Sequence, residues 1–104
     1  MKLGEGVDRI LAYREPVDMR KSFAGLLIVV EGILGKNSFD GTLYLFFNKR
    51  GNYIKGIVWD RTGYVMMAKK LERGRFYLPG KDELQILKQE VFLLMLDGNK
   101  VGQV

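Results

Sequence analysis

From Gly41 to Leu78 the chain alternates four runs rich in aromatic and β-branched residues, TLYLFFN, YIKGIVW, YVMMAKK and RFYL, with three tetrads that each end in glycine. Such runs favour extended, half-buried backbone. Asn48-Lys49-Arg50-Gly51, Asp60-Arg61-Thr62-Gly63 and Leu71-Glu72-Arg73-Gly74 each put glycine where a three-residue hairpin needs positive φ after a type I turn. Three short hairpins in succession predict an antiparallel meander. In the first run Leu43, Leu45 and Phe47 alternate with Tyr44 and Phe46, so both faces of that strand are apolar and neither is expected to be left to water.

The flanking segments supply covers for such a sheet. Arg9 to Arg14 reads as a short strand stopped at Glu15-Pro16. Beyond it, Asp18 is the expected N-cap of one long helix. Met19, Phe23, Leu26, Leu27, Val30, Ile33 and Leu34 recur on one face, and Gly35 and Asn37 end it. Past Pro79-Gly80, a short strand is expected at Leu84 to Leu87 and a short C-terminal helix from Gln89 to Asp97, closed by Gly98. The expectation is an α+β fold, an antiparallel meander of four to five strands packed against one long helix, with a short C-terminal helix. Residues 1–104 read as one domain, without a linker or repeat. The helix covers one face, and a partner, the C-terminal segment or sheet curvature covers the other.

Charge is concentrated on the same segment. Residues 49 to 75 hold eight of the seventeen Lys and Arg residues against only Asp60 and Glu72, a formal charge of +6 in a chain whose total is +5. A basic stretch interleaved with Tyr53, Trp59 and Tyr64 favours a polyanionic partner, most often nucleic acid. Chain direction reverses at each hairpin, so the first and third loops share one end of the sheet. Lys49, Arg50, Lys69, Lys70, Arg73 and Arg75 are therefore expected on one rim, about 10 Å apart across two strand spacings, with Lys55 close by and Arg61 at the opposite end. Arg20 and Lys21 join the candidate set because cations directly after a helix N-cap oppose the helix dipole. Basic residues at hairpin tips also serve as ordinary solubility devices, and strand aromatics are more often core than stacking platforms.

The absence of Cys and His excludes disulfides, thiolate chemistry, imidazole bases and zinc sites with sulfur or imidazole ligands. No apolar run approaches the roughly 20 residues that span a bilayer, and a cytoplasmic protein with no membrane contact is expected. Asp60 and Glu72 with a nearby lysine have some likeness to the carboxylates of metal-dependent nucleases, but Glu72 is followed by Arg73-Gly74 in a turn, and Asp60 fits a turn-opening residue.

Several blocks together carry a family likeness: Val17-Asp18-Met19-Arg20-Lys21-Ser22-Phe23 with Gly25-Leu26, then Lys49-Arg50-Gly51, Ile54-Lys55, Trp59-Asp60 and Gly63. The run Ala68-Lys69-Lys70-Leu71-Glu72-Arg73-Gly74-Arg75-Phe76 with Pro79 completes them. From about Val7 to Gly98 the chain resembles the TnpB-type accessory protein, the second open reading frame, of insertion sequences of the sixty-six type. Ser22 stands where that family often has glycine, and Asp97-Gly98-Asn99-Lys100 departs from its usual tail. The resemblance implies a protein encoded beside a separate DDE-type transposase, supporting transposition, with no catalytic residue set and no cofactor to carry over.

The combined expectation is a non-enzymatic accessory protein of DNA transposition. Its rim would touch DNA, at element ends or in a nucleoprotein complex. The alternative is an interaction module for transposase or another element-encoded protein that makes no DNA contact. That alternative predicts an exposed apolar patch drawn from Tyr44, Phe46, Ile57, Met66 and Met67, covered by homo-oligomerisation or by a partner.

Overall fold

The computed structural model describes residue 7 and residues 9–101. Strand β1 (Arg9–Tyr13) leads to helix α1 (Phe23–Ile28), which continues as a π-helical turn over Val29–Ile33. Strands β2 (Thr42–Phe47), β3 (Tyr53–Asp60) and β4 (Gly63–Lys70) follow, then β5 (Leu84–Leu87) and helix α2 (Gln89–Leu96). The five strands form one sheet in the order β4-β3-β2-β1-β5.

The meander is shorter than expected and the sheet is mixed. Antiparallel hairpins join β2 to β3 and β3 to β4, but β1 lies parallel to β2, with Leu11 opposite Tyr44. Parallel neighbours need a crossover, and α1 provides it. The run Arg75 to Leu78 is not a strand: after Gly74, at φ 78°, the chain crosses the sheet end, where the Phe76 N–H donates to the Gly51 carbonyl at 2.8 Å. The second tetrad also differs. Its loop is only Arg61-Thr62, with Arg61 at φ 56°, while Gly63 already opens β4.

The long helix is likewise corrected. The Asp18 carboxylate accepts the Arg20 N–H at 2.9 Å and is held by the Arg20 guanidinium, so this segment forms a turn. The helix starts only after Ser22, which makes no side-chain cap. Six α-helical and five π-helical residues follow. A π turn closes i→i+5, as the Leu34 N–H does on the Val29 carbonyl at 2.9 Å, so the 3.6-residue spacing falls out of phase. Leu26, Val29 and Val30 are buried, whereas Ile28 and Ile33 face solvent at 66% and 65% exposure.

Two cores result, one on each face of the sheet. Tyr44, Phe46 and Ile57 pack with Leu11, Leu26, Val29 and Val30 beneath α1. Leu43, Leu45, Ile54 and Val58 pack with Val91, Phe92 and Met95 of α2. All six residues of β2 are buried, because both its faces are covered and both its edges are paired. Phe92 and Met95 are fully enclosed, each contributing about 2–3 kcal/mol of burial. Of the covers considered for the second face, it is the C-terminal segment that serves. Tyr44, Phe46 and Ile57 are therefore internal and Met66 and Met67 half-buried, so these residues do not form the expected exposed patch.

A candidate nucleic-acid interface at one end of the sheet

The sheet has a hairpin end, where the loop Asn48–Asn52 lies, and a far end, where Arg61-Thr62 lies. Asn48 builds the hairpin tip. Its side-chain oxygen accepts the N–H groups of Gly51, Asn52 and Tyr53 at 2.9, 3.1 and 3.1 Å, and its amide donates to the Asn52 side chain at 2.8 Å. Gly51 at φ 79° completes the turn, a left-handed conformation that glycine adopts without strain. This bracing leaves Lys49 and Arg50 as exposed side chains on a fixed backbone.

The strand directions bring every candidate cation to this end. β4 runs toward it, so Lys69, Lys70 and the turn carrying Arg73 lie there, and the crossing segment adds Arg75. Arg75 is seated over the loop: a Cβ placed on Gly51 would lie 3.0 Å from its Nη2. Arg20 and Lys21 arrive from the α1 side, since the Val17 N–H donates to the Phe47 carbonyl at 2.8 Å and the Lys55 ammonium donates to the Lys21 carbonyl at 2.8 Å. The dipole argument for Arg20 and Lys21 lapses, because both precede the first helical turn.

Convergence does not make the cations equivalent. Lys69 donates to the Leu96 carbonyl at 2.7 Å and pairs with Asp97 at 3.6 Å, which places its charge at the C-terminal end of α2, where a cation is favourable. Lys55 is spent on the Lys21 carbonyl. Arg20 is paired with Asp18, whose carboxyl is lowered to about 2, chiefly by the hydrogen bonds it accepts from Arg20. Lys49, Arg50, Arg73 and Arg75 make no ion pair or side-chain hydrogen bond among the described residues. Lys70 lies over the Tyr53 ring at 5.9 Å, opposite it across the β3–β4 ladder.

Two further cations share this end, and the sequence reading did not single them out. Arg14, just past β1, donates to the carbonyls of Asp82 and Pro79 at 2.9 and 2.8 Å, tying down the segment that leads to β5. Lys100 follows α2 and lies over the Tyr77 ring at 5.7 Å. Only the position of Arg14, at the strand end before Glu15-Pro16, hinted at its place.

The aromatics divide differently. Trp59 and Tyr64 pack on each other at 5.0 Å and on Phe39 at 4.9 and 6.0 Å, at the far end, away from the rim. Asp60 and Glu72 lie at opposite ends of the eight-residue strand β4, about 23 Å apart at the usual rise, and Asp60 pairs with Arg61. Two carboxylates so placed do not converge on one metal ion.

An α+β fold whose sheet is covered on both faces, with Lys49, Arg50, Arg73 and Arg75 at its hairpin end and the carboxylates of Asp18, Asp40, Asp60 and Asp97 in ion pairs, defines a small basic-rimmed protein. The chain belongs to the IS66 Orf2-like family, whose family model, described as IS66 Orf2 like protein, matches residues 8–104. Among curated proteins it is 33% identical over 91 residues to the uncharacterized protein y4jC of Sinorhizobium fredii (strain NBRC 101917 / NGR234), covering 86% of this chain and 78% of that one. It is 37% identical over 65 residues to the uncharacterized protein y4hO of the same strain, covering 62% of this chain and little more than half, 56%, of that one. No solved structure matches. Among the described residues no helix is long and apolar enough to cross a membrane.

Proposed function

We infer that this protein is a non-enzymatic accessory factor of DNA transposition, and that its hairpin-end rim contacts the phosphate backbone of DNA or of a DNA–transposase complex. Family membership supports the transposition role. The observation that carries the DNA contact is the grouping of Lys49 and Arg50, on the turn braced by Asn48, with Arg73 and Arg75 on either side of Gly74, all four without ion-pair partners among the described residues. Such contacts would position a duplex without reading its sequence. An electrophoretic shift with element-end and scrambled duplexes, with and without transposase, tests this reading. Comparable retardation of both duplexes by the protein alone is expected, and no retardation under any of these conditions would refute it.

A second reading is docking of transposase, another element-encoded protein or a second copy of the chain. It is favoured by Ile28, Ile33 and Phe39, which are 66%, 65% and 58% exposed, and not by the residues first expected to form such a patch. Binding of the protein to transposase in the absence of DNA, with no retardation of either duplex by the protein alone, would support it.

A further inference from the structure

Beside the rim lies a cleft of about 430 Å³ between the Asn48–Asn52 loop and the crossing segment Arg75–Leu78. That volume falls within the usual range of small-molecule sites, about 300–1,000 Å³. Phe47 and Phe76, 7% and 3% exposed, line it with apolar surface. Lys49, Arg75 and Lys100 also line it, and none of its lining residues is acidic. Tyr77, 39% exposed, has the Arg75 guanidinium 5.8 Å and the Lys100 ammonium 5.7 Å from its ring centre.

This arrangement asks for a particular ligand chemistry. Two cations 5.8 and 5.7 Å from one ring centre, with no carboxylate in the lining, make the cleft electropositive and favourable to an anion, while an exposed ring beside apolar lining accepts a flat apolar body. A nucleoside phosphate has both parts. The bases of a duplex are stacked inside the helix and must be extruded to reach such a cleft, whereas single strands are held on aromatic platforms in basic grooves. We propose that the cleft takes an unpaired nucleotide of a DNA strand, with its base on Tyr77 and its phosphate between Arg75 and Lys100. The assignment rests on the DNA-contact reading and extends it, since the rim would hold duplex while the cleft accepts a single-stranded end. Gly51 is part of the device, because any side chain there would meet the Arg75 guanidinium at the cleft wall.

Fluorescence anisotropy with labelled oligo-dT and a labelled blunt duplex of equal length tests it. Tyr77→Ala is expected to weaken oligo-dT binding about tenfold and to leave duplex binding within about twofold, while Tyr77→Phe retains both. Arg50 and Arg73 do not line the cleft, so Arg50→Glu with Arg73→Glu should weaken both ligands. If that pair weakens both ligands and Tyr77→Ala changes neither, the cleft assignment falls and the rim stands; if the wild type binds neither ligand, both fall. Free dTMP binding as tightly as oligo-dT would refute the strand assignment. Poly-glutamate competing as well as oligo-dT of equal charge would assign the cleft to an acidic peptide instead. Oligo-dT should also shift the wild-type amide resonances of Arg75 to Leu78, a readout that does not depend on any variant folding.

Discussion

Replacing Lys49 and Arg50 together by glutamate tests the rim most directly, because the structure fixes how many cations are available. Lys55 and Lys69 are bound to backbone carbonyls, Arg20 is paired with Asp18, and Lys21 is half-buried with its stem against Gly25, which leaves Lys49, Arg50, Arg73 and Arg75, with Lys70 held only over Tyr53. Five phosphate contacts at about 0.9 each give a slope of log affinity against log salt of about −4 to −5. A fourfold rise in salt should then weaken binding about 500-fold. The double reversal removes two of the five contacts, so the slope should fall to about −2.7, with equal losses for element-end and unrelated DNA. The fold should survive, since both side chains are exposed and the turn is held by Asn48. Arg61→Glu, at the far end and paired with Asp60, should leave the slope unchanged. Anisotropy titrations across a salt series measure all three proteins. An Arg61 effect as large as that of the pair, or binding indifferent to salt, would mean that the wrong surface has been chosen.

Lys69→Met should cost about 1 kcal/mol and lower the melting temperature by about 5 °C through loss of the bond to Leu96, while changing the salt slope little; the reverse pattern would make Lys69 a DNA contact. Asn48→Ala strips the acceptor from three backbone N–H groups and should destabilise by about 2 kcal/mol in urea unfolding, far more than Lys49→Ala, and equal costs would contradict the bracing role. The Asp18–Arg20 turn should persist in acid. A carboxyl lowered to about 2 is bound more favourably as the anion, so the contribution is complete above about pH 4 and is lost as pH falls through 2. A carbon-detected titration of Asp18 with its midpoint near 4 would show that the contact is not formed in solution.

Much of the fold was legible because it rests on local rules. β1, β2, β3, β5 and α2 fall where the apolar runs and turn residues put them, and Gly51, Gly74 and Gly98 take the positive φ expected of turn and helix-end glycines. The shared end of Lys49, Arg50 and Arg73 also follows from strand reversal alone, since two antiparallel hairpins return the chain to the same side. What the sequence could not determine was set by partners distant along the chain. The parallel pairing of β1 with β2, the π turn that lets Val29 and Val30 meet the sheet, and the packing of α2 on the second face each depend on nonlocal burial. Periodicity does not encode these, because it assumes a regular helix and is silent on strand order. The same holds for the site. Charge reads identically for Lys69 and Arg73 in the sequence, and only the arrival of the Leu96 carbonyl beside one of them separates a helix-end cation from a free one. Arg14 and Lys100, far from the basic segment in sequence, reach the cleft only because β1 and α2 both end where the hairpin tip lies.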